Sequence, residues 1–183
     1  MPIIGRPIMP LSLNRLFYLI KGLDQYTAVT GGFSALAMRR ASGNTARAPT
    51  IDATTGPYIT VTQTKSSSTA YTGAYAAASL VDLTSKSKIV LIYDITTDGT
   101  ASQYRLLKVC LFANSSKVYA SNYQKSTTYN TETDGVQAGV TLTNQVLELN
   151  ISGSTGTLDV GIGLNQSNPQ IGGTLTIKAL YAE

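Results

Sequence analysis

Histidine and tryptophan are absent from this chain, cysteine occurs once, and only 13% of residues are charged. Each absence closes a class of function. Without histidine the commonest general base and the commonest metal ligand are both missing. A single cysteine, Cys110, excludes an internal disulfide framework. Between Val109 and Leu111 it reads as a small buried hydrophobe. No run of about 18 uninterrupted apolar residues exists, which excludes a membrane-spanning helix. The apolar stretch Leu11–Ile20 is broken by Asn14 and Arg15 and lacks a small-residue cleavage site, so no signal peptide is expected. What the chain does have is hydroxyls. Its 183 residues include 25 Thr and 17 Ser, beside 43% hydrophobic residues and a net charge of +4. That much apolar surface at so low a net charge describes a folded chain.

The charge is unevenly placed. Residues 1–48 carry Arg6, Arg15, Lys21, Arg39, Arg40 and Arg47 against Asp24 alone, and the remaining 135 residues are nearly neutral. A basic arm on a neutral body points to an acidic surface as its partner. The arm is too sparsely charged to package a genome, so nucleic acid is not an expected partner.

Pro2, Pro7 and Pro10 hold the opening extended. Leu13, Leu16, Phe17, Ile20 and Leu23 then recur at helical spacing, with Ser12 as a cap and Gly22 near the end. A helix of about three turns is marginal alone and needs an apolar surface to lie on. These five residues are the candidate assembly anchor. A second helical patch is expected at Phe33–Arg40. Ala41–Pro57 has a linker's composition, which divides the chain into an arm (1–48), a linker (49–57) and a β domain (58–183).

From Tyr58 the pattern is that of strands. Tyr58–Thr64 is rich in β-branched residues, and Lys88–Ile95 is almost unbroken in apolar character. Thr97-Asp98-Gly99-Thr100 predicts a hairpin, with Gln103–Ala113 as a return strand covered on both faces. Lys117–Tyr123, Val140–Ile151, Thr157–Leu164 and Thr174–Ala182 continue the series, whereas Ala70–Leu83 reads either as helix or as strand. Seven or eight strands in about 130 residues predict an all-β fold, an antiparallel, jelly-roll-like β-sandwich preceded by the arm and its short amphipathic helix.

Chemistry is hard to place on such a chain, and neither an enzyme nor any cofactor or metal is expected. Asp94 and Asp98 lack the further ligands a Ca²⁺ loop requires. Glu148 and Asp159 fall inside strands between apolar neighbours, and alternation assigns both to the solvent face. Tyrosine is the more suggestive residue, with 11 copies. Tyr119, Tyr123 and Tyr129 are interleaved with Lys, Ser, Asn and Gln over Lys117–Asn130, a composition that suits a sugar or a protein surface. They form the candidate ligand surface.

The proline-punctuated arm with its short helix, the Thr/Ser/Gly-rich linker and the low-charge sandwich together resemble the accessory structural proteins of virus particles, tailed-phage decoration, collar and fibre proteins above all. That resemblance implies a non-enzymatic virion protein that is a homo-oligomer, docks by its arm on neighbouring subunits or shell proteins, and projects its sandwich. It implies residence in the virion after synthesis in the host cytoplasm, without a membrane partner. The alternative is a carbohydrate- or host-receptor-binding sandwich with a glycan as its partner.

Overall fold

The computed structural model of the chain describes residues 34–39, 50–52, 58–65, 72–100, 105–114, 129–152, 156–166 and 170–183. Two antiparallel sheets pack face to face. The first orders its strands β1 (Ser34–Arg39), β4 (Thr72–Asp82), β10 (Thr157–Gln166), β6 (Leu106–Asn114) and β7 (Tyr129–Glu132), and the short β8 (Val136–Gln137) also pairs with β6. The second runs β2 (Thr50–Asp52), β3 (Ile59–Gln63), β11 (Gly172–Ala182), β5 (Lys88–Asp98) and β9 (Thr141–Asn150). The antiparallel β-sandwich expected from alternation and turn spacing is what the chain adopts.

Several local expectations give way to the sheets. Phe33–Arg40, expected as helix, contains β1, whose residues pair with β4 from Ser34↔Ala77 to Arg39↔Thr72. A helix that short is barely stable alone, and a neighbouring strand offers its backbone groups partners at once. Thr50–Asp52, within the expected linker, edges the second sheet through Thr50↔Thr62 and Asp52↔Thr60. The ambiguous Ala70–Leu83 holds β4, which lies between β1 and β10. Tertiary pairing there overrides the helical preference of its alanines.

The Asp-Gly turn is the most instructive departure. Gly99 does take a positive φ of 106°. The strands on either side of it do not pair, because β5 belongs to the second sheet and β6 to the first. Both are apolar enough to require a central place, and each finds two other neighbours, β11 and β9 for β5, β10 and β7 for β6. The turn therefore begins a crossing between sheets. Asp98 steadies it by accepting a hydrogen bond from Gly172 N at 2.6 Å.

The core lies between the inward faces. Ile89, Leu91, Tyr93 and Ile95 of β5 and Leu175, Ile177 and Leu180 of β11 meet Leu107, Val109 and Leu111 of β6 and Val160, Ile162 and Leu164 of β10. Thr97, one of the buried polar residues, is tied to backbone. Thr97 Oγ1 donates to the carbonyl of Gln137 or Val140 and accepts from Val140 N, fastening the start of β9 to β5.

Part of the outer face of the first sheet, along β6 and β10, is also shut off from water. Cys110 and Phe112 of β6 are fully buried although they face away from the inter-sheet core. So are Gly161 and Gly163 opposite them on β10. Covering of β6 on both faces matches its sequence pattern. Asp159 corrects the expectation made for it: at 5% exposure it is buried among these residues, not solvated. Alternation separates the two faces of a strand but does not say which of them meets water. Glu148 does lie in solvent, 3.1 Å from Lys88 Nζ.

Candidate functional site

The anchor residues Leu13, Leu16, Phe17, Ile20 and Leu23 lie outside the described residues, as do Tyr119 and Tyr123. Of the expected tyrosine surface only Tyr129 is described. It opens β7 half-buried and packs against the core. Among the described residues no group of three or more His, Cys, Asp or Glu could hold a metal ion. Asp94 and Asp98 have separate partners, Lys178 for the first and Gly172 N for the second.

The concentration of polar chemistry is on the outward face of the second sheet. Three pairings build it. Thr176 of β11 stands beside Thr60 of β3 on one side and Asp94 of β5 on the other, and Asp52 of β2 follows Thr60. Alternation turns Lys178 outward beside Thr176, and a β-bulge between Ile177 and Ala179 leaves it as an extra residue without a partner in the β5 register. A second irregularity, in β9 opposite Asp94, contains Asn144 at a φ of 53°. Asparagine is among the few non-glycine residues that tolerate this left-handed backbone.

The two irregularities aim their side chains at one point. Lys178 Nζ lies 2.8 Å from Asp94 Oδ2 and donates to Asn144 Oδ1 at 3.2 Å. Asn144 N in turn donates to Asp94 Oδ1 at 2.7 Å. The Lys178 ammonium also sits 5.7 Å from the centre of the Tyr58 ring, within cation–π range. Tyr58 is 36% exposed, a large aromatic side chain left facing water. An open ring thus adjoins a carboxylate, an ammonium, an amide and threonine hydroxyls. Beyond Lys178, Ala179 pairs with Ile92 and Ile92 with Val146, and Val146 is 57% exposed, so an apolar flank borders the polar group.

Electrostatics keep this cluster charged. Burial pushes the Asp94 carboxyl up, but hydrogen bonds from Lys178 and Asn144 N, with the charge of Lys178, outweigh it. The net pKa is below the ordinary carboxylate value. A carboxyl whose folded-state pKa is depressed stabilises the fold fully above its unfolded pKa, about 3.9, and loses that contribution as pH falls through the folded value. The stability difference between wild type and Asp94→Asn is accordingly expected to stay level from pH 7 to about 5 and to shrink below about pH 4. Urea midpoints across that range check it. A difference that shrank on going from pH 5 to 7 would contradict the ion-pair assignment.

Sequence reasoning placed Tyr58 at the head of a strand and Asp94 beside a turn, and joined neither to Lys178. One signal was legible: the Thr-x-Thr triplets Thr60–Thr62, Thr141–Thr143 and Thr174–Thr176 each put two hydroxyls on one side of a strand.

No family model and no curated protein matches the chain. Solved structures similar to it include TmCBM61 in complex with β-1,4-galactotriose, at 14% identity over 69% of this chain and 69% of that one, with a TM-score of 0.39. A family 29 carbohydrate-binding module, CBM29-2, is 11% identical over 84% and 92% of the two chains, with a TM-score of 0.38. TmCBM27, a mannan-recognising carbohydrate-binding module, is 11% identical over 68% and 72%, with a TM-score of 0.39. These are distant likenesses.

Proposed function

We propose that this chain binds carbohydrate, without turning it over, on the outward face of its second sheet at Tyr58, Lys178, Asp94 and Asn144. The observation that carries the reading is the exposed Tyr58 ring beside the Lys178–Asp94–Asn144 triangle. A sugar ring is apolar on its C–H faces and polar around its rim. Recognising one takes an open aromatic face flanked by groups that both donate and accept, and this cluster supplies an ammonium, an amide, a carboxylate and hydroxyls. Because the three polar side chains hold one another, little rotamer freedom is lost when a ligand arrives.

Binding without hydrolysis is the better fit. Of the other acids on this face, Asp52 shares the row of Asp94 but stands three strands away, about 14 Å at ordinary strand spacing, while Asp98 and Glu148 lie four residues away along the strands, about 13 Å or more. Glycosidase carboxyl pairs work at about 5–9.5 Å. Asp94 is moreover engaged with Lys178, which holds it as a fixed anion and not as a proton donor.

The direct test is a glycan array followed by calorimetric titration of the best ligand. Tyr58→Ala is expected to weaken binding about tenfold or more, with retention of the fold checked by thermal melting. Phe at the same position should retain most of the affinity. A chain that retains no glycan, or whose glycan affinity is indifferent to Tyr58→Ala, would refute the proposal.

A further inference from the structure

We infer that the same face continues into a track for a single soluble chain of neutral sugars, formed by a row of threonines that crosses the whole second sheet. The inference rests on the carbohydrate reading above and adds the form and charge of the ligand. The pairing registers place Thr50 beside Thr62, Thr62 beside Thr174, Thr174 beside Thr96, and Thr96 beside Thr141. One threonine thus comes from each of the five strands, in the order β2, β3, β11, β5, β9. Four strand spacings make the row about 19 Å long, several sugar rings end to end. Thr60 and Thr176 begin a second row two residues along, about 6.6 Å away, which leads to Asp94 and the Tyr58–Lys178 cluster. Track and cluster are contiguous.

Threonine's fondness for strands explains one or two such residues, not an uninterrupted file free of the charges that usually cover a sheet surface. The hydroxyls are partly paired with each other. Thr62 and Thr174 Oγ1 atoms lie 3.0 Å apart, and Thr141 Oγ1 donates to Thr96 Oγ1 at 3.2 Å. A hydroxyl has one donor and two acceptor positions, so each pair is held in place and still has capacity left for a ligand. Each threonine also presents a methyl group. A strip of alternating methyls and oriented hydroxyls matches a polyol, with its C–H and O–H groups, and offers a protein partner neither the large aromatic nor the arginine anchors that dominate protein interfaces.

Charge removes polyanions from the candidates. The track holds no cation, the charges of Lys178 and Asp94 offset each other, and Asp52 repels phosphate or sulfate. Twist removes crystalline surfaces. Neighbouring strands rotate by about 20–25° each, so a row crossing five of them turns through about 80–100°. A flat lattice touches such a row at one or two threonines, whereas a free chain can follow it.

The experiment titrates the full chain with neutral glucose-, mannose- and galactose-based oligosaccharides from disaccharide to hexasaccharide, with heparin as the polyanion and microcrystalline cellulose as the flat surface. In the series that binds, affinity is expected to rise about tenfold or more from disaccharide to hexasaccharide, with no binding of heparin and no retention on the crystalline solid. The double substitution Thr62→Val and Thr174→Val replaces a bonded hydroxyl pair by groups of the same shape, which is close to neutral for stability and is checked by thermal melting. It should weaken hexasaccharide binding about tenfold and leave disaccharide binding within about twofold. Equal loss for both lengths, absence of length dependence, heparin binding, or retention on crystalline cellulose would each overturn the track. Where short sugars still bind in a manner sensitive to Tyr58→Ala, the track alone has failed. Where no sugar binds at all, the site reading falls with it.

Discussion

Phe112→Ala is expected to cost the sandwich about 3–5 kcal/mol, and Gly161→Ala to cost much of its share through the same contact. Phe112 is fully buried, and its ring lies across Gly161 of the neighbouring strand β10, where register pairs the two residues. A methyl group built on Gly161 would fall inside the ring, its closest neighbours being Phe112 Cζ, Cε1 and Cε2. The glycine is there for space. Its missing side chain is the slot into which the ring is laid. Because Phe112 is fully buried, making room for the methyl displaces the ring from its own packing, and a cost within the usual overpacking range of about 1–3 kcal/mol is expected. The two costs share a cause and should not add. In a Phe112→Ala background, Gly161→Ala should become much milder, giving a coupling of about 0.5–3 kcal/mol in a double-mutant cycle read from urea midpoints. If Gly161→Ala costs the same in both backgrounds, the ring-over-glycine account is wrong.

The second large effect is expected at Gly172, at the start of β11. A Cβ there would lie 2.6 Å from Gln63 O and Lys65 N, both backbone, and 2.7 Å from Asp98 Oδ1. Side chains can rotate away from an intruding methyl; a paired backbone cannot. Gly172→Ala must either draw β11 away from the end of β3 or break the hydrogen bond from its own N–H to Asp98 that steadies the crossing after β5. A loss of about 2–3 kcal/mol is expected, against a change within about 0.5 kcal/mol for Val146→Ala on the exposed edge strand. The displacement reaches function as well. Gly173 pairs with Gln63 and Thr97, and the next pairs along are Thr174 with Thr62 and with Thr96. Shifting β11 at Gly172 therefore disturbs the centre of the threonine row, and glycan affinity should fall with stability. Wild-type stability and affinity in Gly172→Ala would mean that the end of the sheet is freer to adjust than its packing indicates.

Particular residues show where sequence reasoning stopped. The runs Lys88–Ile95 and Gln103–Ala113 read as strands, the second covered on both faces, from their consecutive apolar and β-branched side chains. Which sheet each would join was not legible. The Asp-Gly turn between them satisfied every local rule for a hairpin, and the strands nevertheless went to different sheets, since each gained more from two apolar neighbours elsewhere than from the other. Asp159 obeyed alternation and still ended buried, because the outer face of β10 and β6 beside it is itself covered. The candidate site was the least legible. Asp94 is 50 residues from Asn144, and Asn144 is 34 from Lys178, so no window along the chain contains the triangle. The Lys178 bulge and the left-handed Asn144 that aim it are consequences of strand pairing, not of local composition.

By itself, then, the amino-acid order determined the class of fold, the inward residues of the long strands and the poverty in catalytic groups, because hydrophobic alternation and composition are properties of the chain read one segment at a time. Tertiary structure alone decided which strands lie side by side, and with that which threonines form a row and which lysine meets which aspartate. Face is a local property with a period of two residues; neighbourhood is settled by competition among all strands for partners, and it is neighbourhood that makes a surface able to hold a ligand.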